Sequence, residues 1–229
     1  SVGEEGIYNY VKNISPDKTA VLYDSSGGYY DINRTKQVGI YSAGGDVYSN
    51  KTINVREGTD SKGVYVENGL LRDITVSGLT VNVESGETGI IAKNDPLSQK
   101  SIILNNNINV TGNSAEGLLH EEGKVINSGK IIINGTDSFG IISVVKNSVN
   151  PGELNNYAAI DVNGQSSVGI YGATAGTGAL IINNNALITV AASSENQVSA
   201  GIYGKNNTVI NNNSDLNIGE NSVGIYSDS

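Results

Sequence analysis

The sequence of 229 residues contains no Cys, Met or Trp, one Phe, one His and three Pro. The absence of cysteine excludes a disulfide framework, a cysteine-based zinc or iron–sulfur site and a cysteine nucleophile. Positive charge is scarce, with 14 Lys and Arg against 23 Asp and Glu and a net charge of −9, so we expect no nucleic-acid partner. No apolar run approaches the roughly 20 residues that a membrane-spanning helix needs.

The abundant residues are small and polar. Glycine supplies 29 residues and asparagine 31, so these two types make up about a quarter of the chain. The apolar fraction of 38% is low for a compact core, but charged residues reach only 16%, which is unlike the composition of a disordered chain. The composition therefore requires a fold that builds a core from few apolar residues.

A Gly-apolar-Tyr or Gly-apolar-aliphatic triplet recurs along the whole sequence. Its mean spacing is about 27 residues, in the range that indicates stacked structural repeats. The triplets begin at Gly6, Gly39, Gly63, Gly89, Gly117, Gly140, Gly169, Gly201 and Gly224.

Each repeat contains two further short apolar segments before its triplet, such as Ile181-Ile182-Asn183 and Ile188-Thr189-Val190. The apolar period within the segments is two, and β-branched residues dominate, so each unit reads as three short strands. Strands this short bury a face only by stacking on the next unit. The sequence predicts an all-β parallel β-helix with three short strands per coil and eight to nine coils, forming one segment over residues 1–229.

Asparagine recurs where the first strand of each repeat ends. We expect these side chains to stack and to form a hydrogen-bonded amide ladder from coil to coil. The predicted ladder positions are Ser49, Ser77, Asn105, Asn127, Asn155, Asn183 and Asn211.

Strict alternation in Val168-Gly169-Ile170-Tyr171 would place Val and Ile inside and Gly and Tyr outside. The resulting outer column is either a structural stacking stripe or an exposed surface that docks a partner. Its predicted members are Tyr8, Tyr41, Tyr65, Ile91, Leu119, Ile142, Tyr171, Tyr203 and Tyr226.

The first coil concentrates tyrosines together with carboxylates. Such a patch suits ring stacking on a sugar with carboxylate hydrogen bonds, although it is also explained by packing of an irregular coil. The candidate ligand-binding residues are Tyr8, Tyr10, Tyr23, Asp24, Tyr29, Tyr30 and Asp31. Expanded turns, as at residues 94–97 and 192–197, are the other expected location of function, because insertions on one edge of a solenoid commonly form its binding edge.

Candidates for catalysis are few. The one histidine, His120, is expected to be a solvated side chain in a turn with no nucleophile beside it in the sequence. Carboxylates do not recur in one column as a polysaccharide-active β-helix requires. We therefore predict no catalytic residues, no metal site and no cofactor.

The recurring Gly-Ile-Tyr, the Ile-Asn-Asn-Asn runs and the closing Asn-Ser-Val-Gly-Ile-Tyr resemble the passenger regions of large Gram-negative autotransporter adhesins of the fusobacterial type. The resemblance covers the whole chain as a style of repeat. It implies a right-handed helix, in line with the general preference of parallel crossovers, and export through an outer-membrane barrel that lies outside this chain. It also implies an extracellular position on the cell surface and a piece of a much longer passenger.

We therefore expect a non-enzymatic adhesin segment that attaches to a glycan or protein receptor on host cells or partner bacteria. Two alternatives remain at this point, a polysaccharide-active β-helix enzyme and a purely structural stalk that carries a binding domain elsewhere.

Overall fold

The computed structural model describes residues 7–12, 20–58, 60–146 and 150–228. It is a parallel β-solenoid of about seven turns, and the described residues contain no helix. The predicted all-β fold with parallel sheets is confirmed. The predicted eight to nine coils and three strands per coil are slightly off, though compatible with the structure.

One sheet has nine strands, of which all but β1 contain the glycine of one triplet; the other has fourteen strands. Most turns contribute two short strands to the second sheet, whereas in two turns these merge into the ten-residue strands β8 and β10. The strands are β1 Ile7–Lys12, β2 Val21–Asp24, β3 Tyr29–Ile32, β4 Val38–Ala43, β5 Asp46–Ser49, β6 Thr52–Val55, β7 Lys62–Asn68, β8 Ile74–Val83, β9 Thr88–Asn94, β10 Ser101–Val110, β11 Glu116–Glu121, β12 Lys124–Asn127, β13 Ile131–Ile133, β14 Phe139–Val145, β15 Gly152–Asn156, β16 Ile160–Val162, β17 Val168–Thr174, β18 Leu180–Asn184, β19 Ile188–Val190, β20 Ala200–Lys205, β21 Thr208–Asn212, β22 Leu216–Ile218 and β23 Val223–Asp228.

The core is a set of aliphatic columns that run along the solenoid. Each buried Ile, Val or Leu side chain contributes about 1.5–3 kcal/mol, so short strands suffice once they are stacked. The column from the nine-stranded sheet is fully buried and consists of Ile40, Val64, Ile90, Leu118, Ile141, Ile170 and Ile202.

The glycine column breaks the strand alternation, and the prediction that Gly shares the outer face with Tyr is wrong. Gly39 and Ile40 are both buried, whereas Val38 and Tyr41 are half-buried. A Cβ on Gly39 would lie 2.6 Å from the carbonyl oxygen of Gly63 in the next coil. Two successive residues therefore face the core, and the missing Cβ of glycine allows the neighbouring coil to approach this closely.

The outer aromatic column is present, but the prediction that it starts at Tyr8 is wrong. Tyr10, not Tyr8, is in register with Tyr41, because β1 pairs with β4 two residues away from the register that the triplets predict. Tyr41 and Tyr65 stack with ring centroids 5.5 Å apart and an interplanar angle of 12°. Tyr171, Tyr203 and Tyr226 meet edge to face at centroid distances of 5.3 and 5.0 Å. These ring contacts link neighbouring coils.

Asparagine ladders connect the coils, and the predicted run Asn155–Asn183–Asn211 is confirmed, whereas the predicted register around Asn127 is wrong. Asn127 pairs with Asn156 rather than Asn155 on one side, and with Leu104 rather than Asn105 on the other. The inner ladder, Asn127–Asn156–Asn184–Asn212, has amide-to-amide hydrogen bonds of 2.8 Å at each step. A separate outer ladder joins Asn155, Asn183 and Asn211 at 3.0 and 2.9 Å, and a third joins Asn54, Asn82 and Asn109 at 2.8 Å per step.

The prediction of a solvated His120 is wrong, because this residue lies on β11 with no exposed surface. Its Nε2 donates to the carbonyl oxygen of Glu122 at 2.7 Å, and its Nδ1 lies 2.8 Å from the Ser143 hydroxyl. This contact cannot be predicted from the residues around His120, because Ser143 belongs to the next coil. Desolvation lowers the pKa of His120 to about 4, so the imidazole is neutral at physiological pH.

We expect Gly117→Ala to destabilise the protein by about 1–3 kcal/mol, because the new Cβ would meet the Gly140 carbonyl oxygen at 2.6 Å and the backbone cannot yield without shifting a coil. Gly69→Ala is the matched control, since nothing lies within 4 Å of its Cβ position. Urea unfolding measures both variants. Equal stability of the two would contradict the role assigned to the glycine column.

Burial of neutral His120 should make the protein acid-sensitive between pH 6.5 and pH 4. The unfolded chain takes up a proton near pH 6.5 and the folded chain only near pH 4, so stability is fully present above pH 6.5 and is lost as the pH falls. The loss amounts to about 3 kcal/mol. Urea unfolding at several pH values should show this slope in the wild type and a flatter one in His120→Gln. The same pH dependence of the free energy of unfolding in both proteins would contradict the role assigned to His120.

Candidate functional site

A cleft of about 300 Å³ opens where strands β2, β5 and β8 stack side by side. We call it the tyrosine cleft; its lining residues are Tyr23, Asp24, Ser25, Tyr48, Ser49, Asn50, Ser77 and Gly78. The strand register places Tyr23 beside Tyr48, and Tyr48 beside Ser77. On β8 the position beside Tyr48 is occupied by the small residue Ser77, so space remains next to the rings of Tyr23 and Tyr48.

Three tyrosine rings of this region are exposed. Tyr23 is 74% exposed, Tyr29 66% and Tyr48 41%. In contrast, the tyrosines of the outer column at Tyr41 and Tyr171 are half-buried against their neighbours. Exposed aromatic side chains with a polar rim commonly mark interaction surfaces, since they carry large apolar area with a hydrogen-bonding tip.

Asp24 is held in a fixed position at the edge of the cleft. Its Oδ1 accepts from the Ser26 hydroxyl at 2.7 Å and from the Ser26 backbone amide at 3.1 Å, while its Oδ2 accepts from the Tyr30 hydroxyl at 2.8 Å. The hydrogen bonds from Ser26 and Tyr30 lower the pKa of Asp24, with a smaller contribution from Lys51. The carboxylate is therefore ionised and oriented by its own loop.

Lys51 contacts several groups at the rim of the cleft. Its Nζ lies 4.0 Å from Asp24 Oδ2 and 5.2 Å from the centroid of the Tyr30 ring, and it donates to the carbonyl oxygen of Gly27 at 2.7 Å. Tyr30 itself packs against the hydrophobic core. The loop at residues 25–28 is thus anchored from the next coil, which fixes the position of the exposed rings around it.

The predicted first-coil residues separate into three groups. Tyr23 and Asp24 line the cleft and Tyr30 supports Asp24. Tyr29 is exposed on β3, whereas Asp31 on the same strand accepts from Asn54 Nδ2 at 2.9 Å and forms an ion pair with Arg56 at 3.4 Å, so it begins an asparagine ladder.

Tyr8 and Tyr10 lie on β1, which belongs to the other sheet, and their side chains are outside the described residues. The backbone therefore gives no support for including them in the cleft.

Sequence reasoning missed Tyr48 and Lys51, both of which belong to the second coil. The signal for Tyr48 was its position 25 residues after Tyr23, close to one repeat, which makes the two side chains neighbours in a parallel stack. Lys51 has no comparable signal, because its contacts depend on the conformation of the loop at residues 25–28.

The cleft offers ring faces, a fixed carboxylate and serine and asparagine side chains, which suit hydrogen bonding and stacking to a neutral polar ligand. Within residues 7–12, 20–58, 60–146 and 150–228, no three His, Asp or Glu side chains form a group that could hold a metal ion. His120 and the Ser143 hydroxyl lie 2.8 Å apart, but both are fully buried in the core and out of reach of a substrate. Among the described residues there is also no helix of the length and apolarity that crossing a membrane demands.

Comparison with known proteins returned no matching family model, no similar curated protein and no similar solved structure.

Removal of the Ser26 hydroxyl should raise the pKa of Asp24 toward its ordinary value of 3.8, because this hydroxyl is the largest cause of the lowering. Titration of the Asp24 carboxyl carbon by NMR in Ser26→Ala measures the shift. Ser25→Ala is the control, since the neighbouring serine lines the cleft without contributing to the pKa of Asp24. A shift of the same size in both variants would contradict the assigned contact.

Proposed function

We propose that this chain is a segment of a surface-displayed adhesin that attaches to a glycan or protein receptor through the tyrosine cleft, without catalysing a reaction. The observation that carries the proposal is the exposure of Tyr23, Tyr29 and Tyr48 around an ordered carboxylate, Asp24. A solvent-exposed cluster of rings gains from burial against a partner, and a fixed acceptor adds orientation at little ordering cost.

The proposal extends to the setting of the protein. The repeat style supports an extracellular passenger of a Gram-negative autotransporter of the fusobacterial type, wound as a right-handed helix and displayed at the outer membrane. The receptor would then lie on host cells or on partner bacteria. A stacked solenoid suits this role, because its interior is held by repeated contacts while loops on its surface vary independently.

A structural stalk is a second candidate, and it is favoured by a different observation. Ring contacts along the outer column and the asparagine ladders join successive coils, as a stalk that keeps its shape would require. In that case Tyr23 and Tyr48 would have no partner, and the binding residues would lie outside the described coils.

Replacement of Tyr23 and Tyr48 by Ala should reduce binding of the purified chain to a glycan array or to host and bacterial cells by at least about tenfold, equivalent to 1.4 kcal/mol. Tyr157→Ala is the matched control, because Tyr157 is 57% exposed but lies in a turn several coils away. Circular dichroism checks that both variants fold. Binding that survives the double substitution, or that Tyr157→Ala reduces equally, would refute the cleft; no binding at all by the wild-type chain favours the stalk.

A further inference from the structure

The hydrophobic core of the solenoid is open at the coil formed by strands β21, β22 and β23, which we call the end coil. Ile225 continues the buried column of the nine-stranded sheet but is 43% exposed, whereas Ile202 in the preceding coil is fully buried. Tyr226 belongs to the outer ring column, which begins at Tyr10, and it is 50% exposed. Apolar side chains at this end therefore gain from burial against a further coil.

Both ends of the described stack consist of strands that are paired on one side only. Strands β21, β22 and β23 each pair with the preceding coil and with no later strand among the described residues. At the opposite end β1, β2 and β3, which we call the first coil, pair only with the following coil in the same part of the chain. The free N–H and C=O groups of edge strands are a template for pairing with another chain. Because every strand pair is parallel, a copy that continues the stack beyond the end coil has to present its first coil.

The columns of the core have apolar side chains at both ends. Leu216 and Ile218 on β22 are only half-buried, although they pack against the core. The same two columns begin at Tyr30 and Ile32 on β3. Stacking an end coil on the first coil of a second copy would therefore place apolar side chains beside apolar ones.

Two polar columns are complementary at their ends as well. The column that ends with the exposed Asn217 begins with Asp31, so stacking would bring an amide donor beside a carboxylate. Asp228 is in register with Lys205, and the same column begins at Lys12 on β1. A second copy would therefore continue the column with a lysine position next to Asp228. Charge complementarity of this kind favours one partner and one register.

One column would bring unlike residues together, since it ends with Asn212 and begins with Leu22. The same juxtaposition already occurs within the chain, where Asn127 is the register neighbour of Leu104. This column is therefore compatible with stacking.

We propose that a second copy of this chain stacks head to tail, with its first coil on the end coil of its neighbour. The contact uses different surfaces of the two copies and leaves one open end on each. It therefore does not close into a ring of fixed size, and association proceeds to filaments as the concentration rises. This inference does not depend on the adhesin proposal, since it rests on strand edges and columns at the two ends.

The test is sedimentation velocity of the whole chain at concentrations up to about 1 mM, where a weak association is populated. We expect the average mass to rise with concentration beyond that of one chain. Ile225→Lys should weaken self-association at least about tenfold, because it would bury a charge without a partner in the contact. Leu97→Lys is the matched control, since Leu97 is 57% exposed in a turn of a central coil, and it should associate as the wild type does. Urea unfolding checks that both variants fold.

A mixing experiment tests the direction of the contact. The chain contains no cysteine, so Tyr157→Cys attaches a single dye at an exposed position away from both ends. A labelled chain that also carries Ile225→Lys keeps its first coil. It should therefore bind the end coil of unlabelled wild type as tightly as wild type does, while it fails to bind unlabelled Ile225→Lys.

The proposal is overturned if the wild-type chain stays monomeric at every concentration, or if Leu97→Lys weakens association as much as Ile225→Lys, which would indicate non-specific aggregation. It is also overturned if labelled Ile225→Lys does not bind wild type, because the contact would then join two end coils. Self-association of Ile225→Lys at the wild-type level would exclude the end coil from the contact.

Discussion

The structure depends on how closely one coil approaches the next at the glycine column. A Cβ built on any of several of these glycines would fall 2.6 or 2.7 Å from the carbonyl oxygen of the following glycine. Only glycine permits this approach, so the coils are fixed at one spacing and in one register. The aliphatic columns, the ring contacts and the asparagine ladders all require that register, because each brings a side chain into contact with its counterpart one coil further on.

The tyrosine cleft lies where the regular stack is interrupted. In the tyrosine cleft, the column of large side chains ends as Tyr48 is followed by Ser77, and Gly78 beside it has a positive φ of 85°. Rigid coils thus hold irregular surface groups in place, as solenoids commonly do.

The fold class was predictable from the sequence, because the two-residue apolar period and the recurring triplet allow few arrangements other than a stacked parallel solenoid. Two of the details that failed concern the register between neighbouring coils. Strand β1 pairs with β4 two residues away from the register that the triplets predict, so Tyr10 and not Tyr8 is the neighbour of Tyr41. Likewise Asn127 pairs with Asn156 instead of Asn155, because backbone geometry rather than residue type decides the alignment.

The candidate site was predictable only in part. Tyr23 and Asp24 were found from local composition, which is visible in the sequence, whereas Tyr48 and Lys51 reach the cleft from the following coil. His120 shows the same limit, since a buried position and a serine partner 23 residues away cannot be inferred from the two glutamates that follow it. Contacts between residues of different coils are therefore what the sequence alone did not predict.

The inner asparagine ladder has a consequence for how the length of such a protein can change. Asn156, Asn184 and Asn212 follow each other at intervals of 28 residues, and each amide donates to the next in the same direction. Loss or duplication of a whole 28-residue unit would offer every amide an equivalent acceptor, whereas loss of a single residue would turn the amides of one coil away from their neighbours. Deletions and duplications should therefore be tolerated in steps of one coil, so that the reach of the rod can vary while its cross-section stays constant.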